Sequence, residues 1–229
     1  MTIKEMKEQR KLEKRKKEEE RVKQLYQFED RAREAGYKLI AGVDEAGRGC
    51  LAGIMIVAAV ILPPNIFIDH LNDSKMLTHK RREKVYEEIV NKAVSIATSQ
   101  VEIEEIDEIN IYNAAKNGMY RAVKALPIQP DFVLTDAMKV DFDGIETLSI
   151  VRGDRLSASI AAASIVAKVT RDRMTDEWDK ELPQYGFSHN RGYGTKYHIE
   201  ALEKYGPSYM HRRSFEPVKS MLEEIKSEN

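Results

Sequence analysis

The chain has 229 residues, of which 42% are hydrophobic and 33% are charged, and its formal net charge at pH 7 is −1. This hydrophobic fraction supports a buried core and excludes an intrinsically disordered chain, and the length suits one large domain or one domain with an appendage. The near-neutral charge excludes a uniformly basic surface, so contact with nucleic acid would require a local basic patch.

Residues 1–35 differ in composition from the rest of the chain. Lys, Arg and Glu dominate from Lys4 to Arg33, no Gly or Pro interrupts them, and apolar residues are too sparse for a coiled-coil seam. We predict a solvated charged helix that docks only near residues 25–28, with an arm that binds nucleic acid or a partner as the alternative. The predicted division is an N-terminal extension (1–35) and a globular domain with a C-terminal helical region (36–229).

The same part of the chain bears on cellular location. The first residues lack the apolar segment of a signal peptide. The apolar run at residues 51–62 is shorter than the roughly 20 residues of a membrane-spanning helix and is typical of a strand buried on both faces. The single cysteine, Cys50, excludes an internal disulfide and suits a reducing cytosol. We therefore predict a cytoplasmic protein that makes no membrane contact.

The globular part alternates apolar runs with amphipathic segments. Strands are predicted at 37–45, 54–62, 93–101, 131–136 and 145–151, and helices at 78–91, 104–126, 157–182 and 196–205. The segment 104–126 could be one helix or two. Because strands come early and alternate with helices later, the pattern indicates an α/β protein with a mixed five-stranded sheet flanked by helices.

Acidic residues stand at or just after the ends of three predicted strands. Asp44 and Glu45 end the first, Asp136 ends the fourth, and Asp154 follows the fifth. Ligands of open sheets gather at the carboxyl ends of strands, so these four carboxylates could converge on one spot. Unpaired carboxylates would repel one another there, and divalent cations would relieve the repulsion. For Asp44 and Glu45, a strand-end turn with a salt bridge is the alternative.

An all-oxygen set of ligands selects a hard cation, Mg²⁺ or Mn²⁺, rather than zinc. Two such ions about 4 Å apart would activate water and stabilise the leaving oxygen in phosphodiester hydrolysis. Adjacent residues of a regular strand face opposite sides. Asp44 and Glu45 can therefore share a site only if the strand ends or twists at Asp44, or if Glu45 reaches around its edge.

A glycine-flanked arginine at residues 47–49 follows the two acids and is the first candidate for substrate recognition. The glycines permit backbone angles that other residues avoid and let another backbone approach, and the arginine suits a phosphate or a ribose. Tyr193 lies between two glycines, which predicts an exposed ring, with a half-buried packing role as the alternative. Lys75 could touch a phosphate or pair with Asp73 at the surface.

Other polar residues give weaker signals. The helix from residue 157 begins with small residues and should pack closely behind the site, while Lys168, Arg171 and Arg173 on its later turns could face DNA or solvent. The five histidines lack the short paired spacings of zinc sites, although His189 or His211 could assist in binding phosphate.

Six short segments together carry a family resemblance. They are 44–49, 72–75, 135–136, 153–172, 192–195 and 211–217. In order and spacing they resemble ribonuclease HII, a type 2 ribonuclease H, over about residues 37–218. Each segment alone is modest evidence, whereas their joint occurrence is specific. Cys50 and Ile54 stand where many members of the family carry proline, and Arg155 adds a positive charge directly after Asp154.

The resemblance implies a ribonuclease H-like fold with extra C-terminal helices, and endonucleolytic cleavage of the RNA strand of RNA–DNA hybrids. It also implies cleavage on the 5′ side of single ribonucleotides embedded in duplex DNA, leaving 3′-hydroxyl and 5′-phosphate ends. These activities serve RNA primer removal and ribonucleotide excision repair. The implied nucleic-acid partners are therefore RNA–DNA hybrids and duplex DNA containing ribonucleotides, while protein partners stay open.

The resemblance also implies roles for individual residues. The catalytic and metal-binding residues would be Asp44, Glu45, Asp136 and Asp154, with two Mn²⁺ or Mg²⁺ ions as cofactors. The substrate-binding residues would be Gly47, Arg48, Gly49, Lys75 and Tyr193. The turn at 47–49 would contact the ribose 2′-hydroxyl, Tyr193 the following deoxyribose, and Lys75 a phosphate.

Two other hypotheses stay in view. Ribonuclease HIII would carry a larger N-terminal binding domain, for which residues 1–35 are too few and too polar. A non-catalytic protein that binds nucleic acid through its N-terminal arm would have no need of clustered carboxylates, which repel phosphate.

Overall fold

A mixed five-stranded sheet forms the centre of the molecule, in the strand order β3-β2-β1-β4-β5. The strands are β1 (Ile40–Ala46), β2 (Met55–Ile61), β3 (Ser95–Val101), β4 (Phe132–Asp136) and β5 (Glu146–Ile150). The first three pair antiparallel, whereas β4 and β5 run parallel to β1. The computed structural model describes residues 3–227. All five predicted strands and the mixed sheet are confirmed.

Eight α-helices flank or extend the sheet within residues 3–227. They are α1 (Ile3–Gln24), α2 (Gln27–Glu34), α3 (His79–Lys92), α4 (Ile103–Lys124), α5 (Ala158–Glu181), α6 (Phe187–Asn190), α7 (Lys196–Tyr205) and α8 (Val218–Ser227). The segment predicted as one helix or two is α4, which is kinked at Asn110, where φ is +67°. Every helix of residues 3–227 is too short or too polar to cross a lipid bilayer.

Close packing of α5 on the sheet sets the position of everything that follows. At Gly42 in β1, a Cβ atom would lie 2.0 Å from the backbone carbon of Ser159, so the helix lies closer to the strand than any side chain would allow. The alanines 161–163 are fully buried in this contact. The opposite face of the sheet is covered by α4, whose residues pack on Val43 and Val57. The expected close-packed helix behind the strand ends is therefore present.

The N-terminal helices combine a solvated part and a docked part. Residues 4–17 are exposed, whereas Val22, Tyr26 and Ala32 are buried, so the docked segment is longer than the predicted 25–28. Glu29 is also buried; its carboxylate accepts hydrogen bonds from Ser157 Oγ and from a backbone N–H in the first turn of α5. The division into an extension (1–35) and a catalytic domain (36–229) stays a prediction, and its outermost residues, 1–2 and 228–229, lie outside the described range.

Candidate functional site

The carboxyl ends of β1 and β4 create the gap in which the predicted acids gather. The two strands run parallel, and their pairing stops at Val43 and Thr135, one residue before Asp44 and Asp136. β1 itself continues to Ala46, paired with β2. Because the strands separate at this point, the side chains that follow line an opening at the edge of the sheet.

Glu45 reaches this opening from the opposite face to Asp44. Gly42 and Asp44 face α5, and Ser164 on that helix acts to lower the pKa of Asp44, against the larger effect of burial. Glu45 points to the other face, as alternation in a strand requires. Its charge nevertheless acts on Asp44, while that of Asp136 acts on Glu45. Because β1 continues to Ala46 in pairing with β2, the alternative that the strand ends at Asp44 is wrong.

Asp154 arrives by a turn rather than at a strand end. β5 stops at Ile150, Arg152 adopts a left-handed conformation (φ +60°), and Asp154 lies in a short 3₁₀-helix, Gly153–Arg155. The backbone N–H of Gly153 donates to Asp136 Oδ1 at 2.7 Å, which ties this turn to the end of β4. The chain reversal places Asp154 where Asp136 raises its pKa.

Electrostatics shows that the four acids share one neighbourhood. Burial raises the pKa of Asp44 well above its usual value, and the charges of Glu45 and Asp136 raise that pKa further. Burial likewise raises the pKa of Glu45, Asp136 and Asp154. Glu45 Oε2 is buried without a hydrogen-bond partner, and its Oε1 lies 3.5 Å from Nη1 of Arg48. Such oxygens, repelled and incompletely bonded, suit a cation.

The acids are nevertheless spread out. Within residues 3–227, no three of them bring carboxylate oxygens within 4.8 Å of one another. Mutual repulsion accounts for this spread. The one trio of described residues that meets this criterion, Glu18, Asp69 and His70, lies elsewhere. Glu18 already accepts hydrogen bonds from the Arg21 guanidinium and the His70 amide, so its oxygens are engaged.

The turn at residues 47–49 is held by two buried arginines. Arg212 donates to the carbonyl oxygens of Gly47 (2.7 Å), Arg48 (2.9 Å) and Gly53 (2.8 Å). Arg171 packs beneath Gly47, whose φ is +98° and where a Cβ would lie 2.2 Å from Arg171 Nε. No such restriction applies at Gly49, since a Cβ there would meet nothing within 4 Å. The two arginines therefore fix the buried side of the turn, whereas its other side, at Gly49, faces open space.

All five residues predicted to bind substrate line one cleft of about 570 Å³. They are Gly47, Arg48, Gly49, Lys75 and Tyr193, and Glu45 lines the same cleft. Tyr193 is 40% exposed, which agrees with the predicted exposed ring rather than with a half-buried packing role. Burial, followed by the neighbouring Cys50 thiol, raises the pKa of the Tyr193 phenol to about 12, so it is a neutral hydrogen-bond donor at pH 7.

Lys75 does not form the surface pair with Asp73. The Asp73 carboxylate is fully buried; Oδ2 accepts from the Arg155 guanidinium at 3.1 and 3.2 Å, and Oδ1 from the Lys75 backbone N–H. The Lys75 ammonium instead lowers the pKa of Asp136 and Asp154, opposing their burial. Arg155 thus neutralises an acid that the sequence did not single out, and Asp73 acts on Asp154 electrostatically.

Of the three basic side chains expected to face DNA or solvent, only Arg171 does neither. Arg171 is buried and donates to the backbone carbonyls of Ala52, Ile54 and Arg191, so it faces neither DNA nor solvent. Lys168 lines the cleft and pairs with Asp172.

Arg173 is half exposed and pairs with Glu83. The cleft also contains Arg82, which sequence analysis missed because nothing distinguishes it from the other basic residues of α3. His211 is buried against His198, which excludes the suggested contact with phosphate.

The sheet order, the central α5 and the helices of the C-terminal region define a ribonuclease H-like enzyme. A family model described as ribonuclease HII matches residues 41–218. The ribonuclease HII of Acetivibrio thermocellus is 53% identical over 199 residues, covering 87% of this chain and 78% of the relative. That of Enterococcus faecalis is 49% identical over 206 residues, covering 90% and 80%. The chain belongs to the ribonuclease HII family and is a ribonuclease H.

Solved structures agree with this assignment. The ribonuclease H2 of Pyrococcus horikoshii superposes with a TM-score of 0.71 at 25% identity, covering 82% of this chain and 99% of that one. The ribonuclease HII of Archaeoglobus fulgidus, solved in complex with PCNA, gives 0.66 at 25% identity, covering 78% and 96%. A ribonuclease HIII (Bst-RNase HIII) in complex with Mn²⁺ shares the fold, with a TM-score of 0.59 at 16% identity, covering 86% and 73%.

Proposed function

We propose that the protein hydrolyses the RNA strand of RNA–DNA hybrids and cuts on the 5′ side of ribonucleotides embedded in duplex DNA. One observation carries the proposal: Glu45, one of the four acids, lines the same cleft as the turn at residues 47–49. Hydrolysis would thus occur beside the turn at residues 47–49, which could bind the ribose 2′-hydroxyl. In the cell, such an activity would serve RNA primer removal and ribonucleotide excision in the cytoplasm.

Asp44, Glu45, Asp136 and Asp154 would together hold two divalent cations, Mg²⁺ or Mn²⁺. The donor set fits, because it consists only of carboxylate oxygens with raised pKa values and includes the unpartnered Glu45 Oε2. When bound, the ions supply an activated water and stabilise the leaving 3′-oxygen, so that the products carry 3′-hydroxyl and 5′-phosphate ends.

The neighbouring turn at residues 47–49, with Lys75 and Tyr193, would recognise the substrate. The 2′-hydroxyl alone distinguishes a ribonucleotide from a deoxyribonucleotide, and backbone groups of the turn at 47–49, in which Gly49 is exposed, could hydrogen-bond to it. Arg48, with its 42% exposed side chain, would bind the adjoining sugar-phosphate backbone. Lys75 would bind a phosphate, and the partly exposed ring of Tyr193 would pack on the following deoxyribose.

The decisive experiment uses three labelled duplexes that differ only in sugar: all DNA, DNA with a single ribonucleotide, and an RNA–DNA hybrid. Each is incubated with Mg²⁺, Mn²⁺ or a chelator. We expect cleavage of the two RNA-containing duplexes, dependent on metal, with the cut on the 5′ side of the single ribonucleotide. Extension of the upstream product by a polymerase would confirm the 3′-hydroxyl.

The matched control is Asp141→Asn, which changes an exposed turn carboxylate bonded only to a backbone N–H. It should cleave like the wild type, whereas Asp136→Asn should not. Cleavage in the presence of chelator, or products that end in a 3′-phosphate, would contradict the proposal.

A further inference from the structure

The carbonyl oxygen of Tyr193, which also accepts from the Thr195 N–H at 2.8 Å, is one end of a chain of buried hydrogen bonds. The Tyr193 carbonyl oxygen lies 2.9 Å from Nδ1 of His198, and Nε2 of His198 lies 3.0 Å from Nε2 of His211. Nδ1 of His211 is 2.9 Å from both the backbone nitrogen and the hydroxyl of Ser208. The chain thus connects the base of the cleft to the segment that follows α7.

Only one placement of protons satisfies every member when both rings are neutral. A carbonyl oxygen can only accept, so His198 Nδ1–H must donate to Tyr193, which leaves His198 Nε2 as an acceptor. His211 Nε2–H then donates to His198, and His211 Nδ1 accepts from the Ser208 N–H. Each ring therefore has a single tautomer, and every hydrogen bond in the series is donated in the direction of Tyr193.

The surroundings keep both rings neutral. His198 and His211 are 0% and 1% exposed and are enclosed by the rings of Tyr185 and Phe187. Burial lowers the pKa of His198, and burial together with the neighbouring ring lowers the pKa of His211 to about 4. A pair of rings that is buried, uncharged and fixed in tautomer is a rigid connection.

Arg212, the residue after His211, links this series of hydrogen bonds to the turn at residues 47–49. Arg212 follows His211 directly and donates to the carbonyls of Gly47 and Arg48. The dipeptide 211–212 therefore contacts both the support of Tyr193 and the turn proposed to read the sugar. A displacement of His211 would alter the distance between these two groups.

We propose that His198 and His211 are positioning residues. They fix the distance between Tyr193 and the turn at 47–49, so that the two can contact consecutive nucleotides of one strand. The proposal rests on the substrate contact proposed for Tyr193. Neither histidine touches the substrate in it; each acts through the Tyr193 carbonyl.

A double-mutant cycle tests the proposal. His198→Phe keeps the ring volume and removes both hydrogen bonds, while His198→Asn keeps a donor near the Nδ1 position. On the duplex with a single ribonucleotide, we expect His198→Phe to raise KM about tenfold, which corresponds to the loss of one hydrogen bond. The change in kcat should be smaller. His198→Asn should have a KM close to that of the wild type. In a Tyr193→Ala background, His198→Phe should change KM by less than about twofold, because Tyr193 is no longer there to be positioned.

Equal losses from His198→Phe in both backgrounds would mean that the pair only supports the fold, which overturns the proposal. His211→Asn, which keeps an acceptor for Ser208 near Nδ1 but removes the Nε2 donor to His198, provides a second variant if His198→Phe fails to fold. Its loss should likewise disappear in the Tyr193→Ala background, and persistence of that loss would overturn the proposal.

A second measurement is independent of activity and needs no variant. Long-range ¹H–¹⁵N NMR spectra of the histidine rings should show the Nδ1–H tautomer for His198 and the Nε2–H tautomer for His211. Any other pattern would contradict the hydrogen-bond chain. If Tyr193→Ala cleaves like the wild type, the substrate contact of Tyr193 is refuted, whereas the expected tautomers would still support its positioning by the two rings.

Discussion

The four acids and the turn at residues 47–49 lie next to each other, yet they are stabilised in opposite ways. The acids are buried carboxylates with raised pKa values, and one buried oxygen, Glu45 Oε2, has no hydrogen-bond partner. The carbonyls of Gly47 and Arg48 each accept a hydrogen bond from Arg212. The acids therefore carry charge that their surroundings compensate only in part, whereas the backbone of the turn is already fixed by hydrogen bonds.

The largest effect should come from the acids. Asp44→Asn should reduce the cleavage rate at least about a thousandfold, while folding and substrate binding persist. Because burial, and then repulsion from Glu45 and Asp136, raises the pKa of Asp44, its ionised form destabilises the metal-free protein at pH 7. The variant should therefore melt at the same or a higher temperature without metal, and show a smaller increase in Tm when Mn²⁺ is added. Full activity would refute the metal assignment.

Removal of the support beneath the turn should give the next largest effect. Arg212→Met takes away donors to the carbonyls of Gly47, Arg48 and Gly53, so the free energy of unfolding should fall by about 3 kcal/mol or more. Denaturant unfolding measures this change. Arg213→Ala, at the exposed neighbouring position, is the matched control and should change stability little. Similar stabilities of the two variants would contradict a rigid turn.

The two glycines of the turn should separate stability from recognition. Gly47→Ala forces a side chain into a positive φ and against Arg171, so we expect a loss of about 1–3 kcal/mol in the free energy of unfolding. Gly49→Ala should leave stability within about 0.5 kcal/mol of the wild type, because its Cβ enters open space. Gly49→Ala should instead weaken substrate binding, if the open side of the turn receives the sugar. Binding that is unchanged would place the sugar elsewhere.

A smaller effect is expected for the arginine between them. Arg48→Ala should reduce the preference for a ribonucleotide over a deoxyribonucleotide at the cut site about tenfold, as the loss of one hydrogen bond would. The ratio of kcat/KM for the matched duplexes measures this preference. The fold should be unaffected, since the Arg48 side chain is half exposed and pairs only weakly with Glu45. An unchanged preference would remove Arg48 from recognition.

Much of the fold could be predicted from the chain alone. The strand before Asp44 and the continuous apolar strand from Met55 to Ile61 carry their pattern in local sequence, and both lie where that pattern predicts. The position of Asp154 was harder to foresee, because β5 stops at Ile150 and a left-handed residue, Arg152, redirects the chain. Turn geometry of this kind depends on contacts distant in sequence.

Arginines were the least predictable residues. Arg171 and Arg212 lie among other basic residues, and sequence alone could not distinguish them from solvated charges. Both are buried, and both bind backbone carbonyls of the loop between β1 and β2. A buried guanidinium has five donors, so it can satisfy several carbonyls at once; only the fold shows that these carbonyls lie within reach.

Three properties could be predicted from the chain alone: the α/β class, the assignment of the acids to positions at or just after the ends of three strands, and the family. These follow from local periodicity and from residue types at characteristic spacing, which are properties of short segments. Only the tertiary structure reveals that β1 continues past Asp44, which arginines hold the turn at 47–49, and that His198 pairs with His211. The physical reason is that burial and hydrogen bonding depend on segments more than a hundred residues apart, such as Arg212 and Gly47, whose meeting no local pattern encodes.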